Sequence, residues 1–390
     1  MKIIHLCMTG SYNDYWNYQD NLLSLYHKKA GFDVTIITTP FINDKNSTNY
    51  IFYKTGEYID DNGIKVIRKD LLISNSSELI KRLRLYKNLY ATIEQEKADI
   101  IFVHGCQFLD IKHVVKYAKL HPNVKIYVDN HADLSNSARN FLSKNILHKI
   151  IWRYCAHQIE PYTTKFYGVL PARVDFLINV YKLAKEKVEL LVMGADDEKV
   201  AEAKKSEVRK RIREKHNIGY DDFLIVTGGK IDNAKKQTLL LMEAVKRIEN
   251  KKIKLVVFGS LVNDLKDKVN ELADGDKIQY IGWINSEDSY EYFAASDLVV
   301  FPGRHSVFWE QVVGLGIPMI VKYWDGTTHV DLGGNCKFLY HDNIEEIYNI
   351  LIKLIDNKKE LSHMREIAES KGMKYFSYKD ISARAIEVQK

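Results

Sequence analysis

The segment 301–318 combines anion-binding side chains with the predicted start of a helix. It follows a mostly apolar run, 297–300, that is typical of a buried parallel strand. Arg304 and His305 come next, and Ser306 is a residue type that favours a helix N-terminus. Because free backbone N–H groups and the helix dipole attract negative charge at that end, the segment predicts a binding site for an anion.

Two lysines, Lys230 and Lys236, lie in a loop between a predicted strand, 223–227, and a predicted helix. A glycine pair, 228–229, stands at the end of the strand. Glycine lets the backbone approach a ligand closely, and the lysines add positive charge, so the loop is expected to clamp a diphosphate. The alternative is that both are solvated side chains in a lysine-rich chain.

The first half of the chain offers polar residues at the ends of predicted strands. His131 follows the strand 125–129, and His104 ends another strand. Ligands of α/β proteins bind beside the carboxyl ends of strands, although a histidine there is also often structural. Gly10 and Ser11 follow the first predicted strand and are expected to form a loop that approaches phosphates.

Metal-binding patterns are weak in this sequence. Asp274-Gly275-Asp276 has the D-x-D form, but it precedes its strand and is a common turn sequence. No His/Cys cluster has zinc spacing. The four cysteines are far apart, which is typical of free thiols in a reducing cytoplasm. The sequence therefore predicts neither a metal site nor a cofactor.

The elements that carry these residues alternate between strand and helix along the chain. A length of 390 residues with 46% hydrophobic content suits two globular domains and excludes a disordered chain. The alternation predicts parallel sheets with crossover helices, restarting after a charged helical segment, 198–216. We predict domains at 1–195 and 196–372, followed by a C-terminal helix, 373–390.

Membrane and nucleic-acid functions are limited by composition. No run approaches the roughly 18–20 apolar residues of a transmembrane helix, and the apolar N-terminal stretch is shorter than a signal peptide. The net charge of +6 suits a protein that meets phosphates or an anionic membrane, and it does not require nucleic acid.

In this order, the motifs resemble those of the GT4 family of retaining glycosyltransferases. The resemblance rests on a strand–glycine–lysine loop at 228–236, on glycine turns after two later strands at 255–260 and 278–283, and on a turn between the two predicted domains at 193–196. It also rests on His131 and on the segment 301–318, which is closed by Gly-Ile-Pro. Two departures stand out: Gln237 follows Lys236 where the family has glycine, and the first glutamate of the family's pair is missing.

The resemblance implies the GT-B fold, an α/β architecture of two Rossmann-like, doubly wound domains that face a central cleft. It also implies that the C-terminal helix returns to the first domain. The catalytic residues would be His131, Lys230 and Lys236, the last preferred over Lys235 by its spacing to Ala244. The substrate-binding residues would be Gly10, Ser11, Gly229, Gly259, Trp283, Arg304, His305, Ser306, Glu310 and Gln311.

Glu310 and Gln311 compete for one role, since neighbours on a helix lie about 100° apart and only one can face the ligand. A carboxylate holds a ribose diol best, which favours Glu310. Counting back from Pro318 favours Gln311. Glu310 could also merely complement the helix N-terminus.

The implied activity is metal-independent, retaining transfer of a sugar from a nucleotide diphosphate sugar to a glycan or lipid-linked glycan, in surface polysaccharide synthesis. The alternatives are a nucleotide-sugar 2-epimerase of similar fold and an inactive partner of another transferase. The expected location is the cytoplasm, peripheral to the inner face of the membrane. Basic residues beside apolar ones could contact that membrane or form a solvated helix face: Lys81, Arg82, Arg84, Lys87, Lys144, Lys149 and Arg153.

Overall fold

A computed structural model describes residues 1–14, 16–43, 50–72 and 83–388. The chain divides into two compact units. The first contains Met1–Val192 together with the residues from Ser382 onward, and the second is Met193–Ile381. Lys81 and Arg82, two of the basic residues named above, lie outside the described residues.

The first unit is built on an eight-stranded sheet in the order β10-β9-β8-β7-β1-β2-β6-β5, with β3 and β4 forming a separate antiparallel pair. All pairings in the large sheet are parallel except β5 with β6. The strands are β1 Lys2–Cys7, β2 Asp33–Thr38, β3 Phe41–Asn43, β4 Tyr50–Phe52, β5 Gly56–Ile59, β6 Lys65–Arg68, β7 Ile100–His104, β8 Lys125–Asn130, β9 Thr163–Gly168 and β10 Val188–Leu190.

Helices connect these strands and cover the sheet, so that the central strands are buried along nearly their whole length. The helices are α1 Gln19–Lys29, α2 Leu89–Glu96, α3 Ile111–Leu120, a π-helix at Leu142–Trp152, α4 Arg153–Ile159 and α5 Pro171–Asn179. Short 3₁₀ turns lie at Glu160–Tyr162 and Lys185–Lys187.

The second unit is built on a six-stranded parallel sheet in the order β13-β12-β11-β14-β15-β16. The chain starts at the centre with β11 and steps outward in both directions, which is a doubly wound arrangement. The strands are β11 Phe223–Gly228, β12 Ile253–Phe258, β13 Ile278–Tyr280, β14 Leu298–Phe301, β15 Met319–Lys322 and β16 Cys336–Leu339. The two parallel, Rossmann-like units confirm the α/β fold class.

The helices of the second unit are α6 Asp197–Ala203, α7 Ser206–Lys215, α8 Gln237–Arg247, α9 Lys266–Leu272, α10 Ser286–Ala295, α11 Phe308–Gly314, α12 Ile344–Asp356, α13 Lys358–Ile367 and α14 Met373–Tyr375. A last helix, α15 Tyr378–Ala385, carries the residues at which the two units divide. Asn263–Leu265 and Thr328–Val330 are 3₁₀ turns, and Ala368–Gly372 is a short π-helix.

Two predicted helices differ in detail from those observed. The charged segment 198–216 contains two helices: the first ends at Ala203 with Lys204 as its C-cap, and Lys205 is extended before the second begins at Ser206. Helix α11 begins at Phe308 rather than at Ser306, whose carbonyl accepts a bond from the Trp309 N–H three residues on. Within the described part of the chain, no helix has the length and apolar character needed to cross a membrane.

Candidate functional site

Glycine turns at the carboxyl edge of the second sheet pack directly against one another. Gly229 and Gly259 adopt φ of +121° and +130°, which glycine tolerates best. The Gly229 N–H donates to Phe258 O at 3.0 Å, and the Gly259 N–H donates to Gly282 O at 2.7 Å. A Cβ on Gly259 would lie 1.9 Å from the Gly229 carbonyl oxygen. The turns after β11, β12 and β13 therefore form one tightly held surface.

A group of cations lies beside these turns. Lys230 Nζ is 3.5 Å from Asp232 Oδ2. The pKa of Lys235 is lowered, chiefly by burial, and the nearby charges of Arg304 and Lys230 lower it further while Asp232 opposes them. Lys235 thus lies within electrostatic range of Lys230, Arg304 and Asp232. The three cations are called the cation cluster, and positive charges of this kind suit a phosphate group.

Lys236, which the sequence analysis preferred over Lys235, lies in a different environment. It is exposed at the N-cap position of α8. Its charge acts on Asp342, a carboxylate whose pKa is lowered against the effect of burial by bonds from Lys322 and Gln237. The structure therefore brings Lys235, rather than Lys236, to the cation cluster.

Glu310 is fully buried in α11 and is held by two histidines. His305 Nε2 and His329 Nε2 both donate to its Oε1 at 2.8 Å. Burial opposes the negative charge, but the two imidazoles outweigh burial and lower the pKa of Glu310 to about 2. His329 was not among the predicted site residues, because it lies 19 residues from Glu310 in a 3₁₀ turn and the sequence carries no spacing signal for it.

Two acceptor oxygens on α11 remain without partners among the described residues, namely Glu310 Oε2 and Gln311 Oε1. Both side chains are buried, whereas Trp309 packs in the core against the Phe301 ring. The ligating atoms of His305, Glu310 and His329 all lie within 4.8 Å of one another, a set that matches the donor types of zinc. The two histidine Nε2 atoms are bonded to Glu310 Oε1, whereas Glu310 Oε2 and His329 Nδ1 have no partner among the described residues.

His131 in the first unit is half exposed, and its Nε2 lies 3.4 Å from Asp129 Oδ2. Asp129 is fully buried, and it also accepts from His104 Nδ1 at 2.9 Å. Burial opposes ionisation of Asp129, but His104 and His131 outweigh burial and hold its pKa well below the usual range. His131 is therefore backed by a buried, ionised carboxylate.

The other predicted residues lie at the surface or are engaged in local bonds. The Ser11 hydroxyl donates to Asn43 Oδ1 at 2.7 Å, and the Gly10 carbonyl accepts from Thr39 Oγ1 at 2.9 Å. A Cβ on Gly10 would meet nothing within 4 Å. Trp283 is 72% exposed.

Comparison with known proteins agrees with this architecture. Residues 208–371 match the family described as glycosyl transferases group 1. A curated relative, mannosylfructose-phosphate synthase from Agrobacterium fabrum, is 21% identical over 273 residues, which cover 65% of this chain and 57% of that protein. The match thus spans less than two thirds of the relative's length.

Two solved structures share the fold over nearly the whole chain. Alr3699/HepE from Anabaena, solved with UDP and glucose, has a TM-score of 0.66 and 14% identity, and covers 99% of this chain and 98% of its own. UDP-GlcNAc 2-epimerase from Neisseria meningitidis, bound to UDP-GlcNAc, has a TM-score of 0.63 and 13% identity, with 99% coverage of both chains.

The two Rossmann-like units define a protein of the GT-B class. Within that fold, residues 208–371 of the second unit match the glycosyl transferases group 1 family. This match confirms the resemblance drawn from the motifs, and the activity of the chain is also a matter for proposal. The donor, the acceptor and the residue roles are matters for proposal.

Proposed function

We propose that the chain transfers a sugar from a nucleotide diphosphate sugar to a growing glycan, with retention at the anomeric carbon and without a metal. The observation that carries the proposal is the cluster of Lys230, Lys235 and Arg304 beside the Gly229–Gly259 turns. The Anabaena structure of the same fold, solved with UDP and glucose, supports a nucleotide-sugar donor.

The chemistry would rest on stabilising the leaving group. The bond between the anomeric carbon and the diphosphate oxygen breaks while the acceptor oxygen bonds to the same face of that carbon. The acceptor proton passes to the departing phosphate oxygen. Fixed positive charge and backbone N–H groups that face this diphosphate lower the barrier, because negative charge accumulates on it in the transition state. His131, backed by Asp129, is proposed to contact the sugar or the acceptor hydroxyl.

A nucleotide-sugar 2-epimerase is the second candidate, since the Neisseria epimerase shares the fold. Product analysis separates the two activities. The protein would be incubated with a panel of nucleotide diphosphate sugars and oligosaccharide acceptors, and products followed by mass spectrometry and ¹H NMR. Transfer releases free nucleoside diphosphate and yields an α-linked product from an α-linked donor. A product that is an epimer and still carries its nucleotide would contradict the proposal. Absence of turnover with every donor would instead favour an inactive partner of another transferase.

The acceptor is proposed to be lipid-linked and presented at an anionic membrane, as in surface polysaccharide synthesis on the cytoplasmic face. The support is one helical face of the first unit, here called the apolar face: Phe141, Leu142, Ile146, Ile150 and Tyr154, each 42–75% exposed. From Leu142 onward its members recur every fourth residue along the π-helix and α4. Lys144, Lys149 and Arg153 interleave with them, a combination that suits an interface with anionic lipids.

The other predicted basic residues contribute less to this face. Lys87 pairs with Asp70 at 2.7 Å, and Arg84 Nη1 donates to the Gln107 carbonyl. The proposal therefore assigns membrane contact to the segment 141–154 alone.

A further inference from the structure

Three histidines and an aspartate form a continuous hydrogen-bonded chain through the core of the first unit. His27 Nε2 contacts the Ser382 carbonyl oxygen at 2.9 Å, and His27 Nδ1 contacts His5 Nε2 at 2.9 Å. His5 Nδ1 contacts His104 Nε2 at 2.9 Å, and His104 Nδ1 contacts Asp129 Oδ2 at 2.9 Å. All three histidines are buried, so water does not substitute for any of these partners.

The geometry of this hydrogen-bonded chain of side chains fixes the number of protons that its members share. Its four hydrogen bonds each need one proton between their two heavy atoms. Three neutral imidazoles carry one N–H proton each. The Ser382 carbonyl has none to give, so His27 Nε2 must be a donor. If all three rings are neutral, the links from His104 through His5 and His27 all donate toward Ser382, and the link between His104 Nδ1 and Asp129 Oδ2 lacks a proton. A fourth proton is therefore required, held by one imidazole or by Asp129.

The surrounding charges decide where the fourth proton lies. Next to His104 are the carboxylate of Asp129 and, on α1, Asp20, whose negative charges outweigh burial and raise the His104 pKa. In the described part of the chain, no carboxylate is among the main influences on His5 or His27, and burial lowers the pKa of both. The remaining titratable groups facing Asp129 are His131, Cys7 and Cys106, and burial raises the pKa of both thiols.

We propose that His104 is a permanent imidazolium paired with Asp129, that His5 and His27 are neutral Nε2–H tautomers locked by the Ser382 carbonyl, and that this chain positions His131. Asp129 then stays ionised and accepts the Nε2–H of His131, which leaves Nδ1 as the acceptor of that ring. His104 and Asp129 are positioning residues in this scheme. The role of His131 rests on the proposed transferase function, whereas the protonation pattern does not.

The protonation pattern is tested on the full chain labelled with ¹⁵N-histidine, by long-range ¹H–¹⁵N correlation from pH 5.5 to 8.5. Resonances are assigned with single His→Gln variants. Two protonated ring nitrogens on His104 at pH 8, with neutral Nε2–H rings for His5 and His27 at pH 6, are expected. A neutral His104 at pH 7, or a Nδ1–H tautomer of His27, would overturn the inference.

The positioning role is tested by transferase kinetics against pH. Asp129→Asn and His131→Ala are each expected to lower kcat about tenfold or more with little change in the donor KM. The double variant should lose no more than the worse single one, because both remove the same function. In His104→Gln, Asp129 loses its cationic partner and its pKa should rise, so the acid limb of kcat/KM, where Asp129 becomes protonated, should lie at higher pH than in the wild type.

The control is His157→Gln, because His157 is a half-exposed histidine of the same unit bonded to Glu160. It should leave the pH profile unchanged. Additive losses in the double variant, or an unmoved acid limb in a folded His104→Gln, would overturn the positioning role. If the wild type showed no transfer at all, the proposed function would fail, while the NMR result would still decide the protonation pattern.

Discussion

Lys235 and Lys236 are neighbours in the sequence but experience different charges. Lys235 lies with Lys230 and Arg304, and Lys236 is exposed near Asp342. A strand-to-helix loop can direct only some of its side chains toward the edge of the sheet. A difference of one residue along the loop therefore decides whether a lysine can contact a ligand there. The sequence pattern therefore favours Lys236 as the ligand contact, whereas the structure favours Lys235.

We expect Lys235→Ala and Lys230→Ala each to lower kcat/KM by about ten- to a thousandfold, roughly 1.4–4 kcal/mol of transition-state stabilisation. The matched control is Lys236→Ala, which removes the same charge one position away and should change the rate by no more than about threefold. Steady-state kinetics measure all three. A loss confined to Lys236→Ala would restore the assignment made from the sequence.

Glu310 remains the preferred ribose contact, because Oε2 is a charged acceptor left without a partner among the described residues. Charged hydrogen bonds contribute roughly 1.5–3 kcal/mol each. Glu310→Gln should therefore weaken ribonucleotide binding by about tenfold or more, with a much smaller effect on the 2′-deoxy analogue. Titration calorimetry compares the two ligands. If Gln311→Ala abolishes binding while Glu310→Gln is silent, Gln311 holds the ribose.

At the level of elements, the structure separates segments that shape the core from segments that present a surface. The glycine turns are constrained by contacts from neighbouring strands. The π-helix and α4 instead expose one row of large apolar side chains, formed by Leu142, Ile146, Ile150 and Tyr154. Both the glycine turns and the exposed helical face can be tested by substitutions that leave Lys230, Lys235 and Arg304 unchanged.

Gly259→Ala should lower the free energy of unfolding by more than about 2 kcal/mol, because its Cβ would collide with backbone rather than with a movable side chain. Gly229→Ala is the control, since it shares the positive φ but meets nothing within 4 Å. Its cost should be the smaller of the two. Urea unfolding of both variants measures the difference, and equal costs would contradict the crowding argument.

For the apolar face, we expect the protein to sediment with vesicles that contain phosphatidylglycerol and to bind less at high salt. Phe141→Ser and Ile150→Ser should each weaken this binding by up to about tenfold, because burying such a side chain contributes roughly 1.5–3 kcal/mol. Leu120→Ser, at an exposed leucine on α3, is the control. Equal binding to neutral vesicles, or none to either kind, would argue against an anionic membrane partner.

For the whole molecule, binding of the donor nucleotide should raise the stability of the native state. A nucleoside diphosphate at about a hundred times its Kd is expected to stabilise the native state by roughly 2.7 kcal/mol, even in a chelator of divalent metals. Thermal denaturation with and without the nucleotide measures this shift. Stabilisation that appears only after manganese is added would contradict metal-independent binding.

Much of the fold was predictable because its signals are local. Alternating apolar strands and amphipathic helices indicated two parallel-sheet units, and the glycines after the strands marked the turns now seen beside β11 and β12. Helix ends were less certain. The observed start of α11 at Phe308 and the break at Lys204 depend on backbone turns that no single residue type dictates.

The sequence by itself determined the α/β architecture of two units and the family that its motifs resemble, since periodicity and turn chemistry depend on near neighbours. Only the tertiary structure joined Glu310 to His329, chose Lys235 for the cation cluster and aligned His5, His27 and His104. His5 and His104 are 99 residues apart, and they meet because β1 and β7 are adjacent in the sheet. Strand order is set by how the whole sheet buries its faces, and the spacing of residues along the chain does not contain that information.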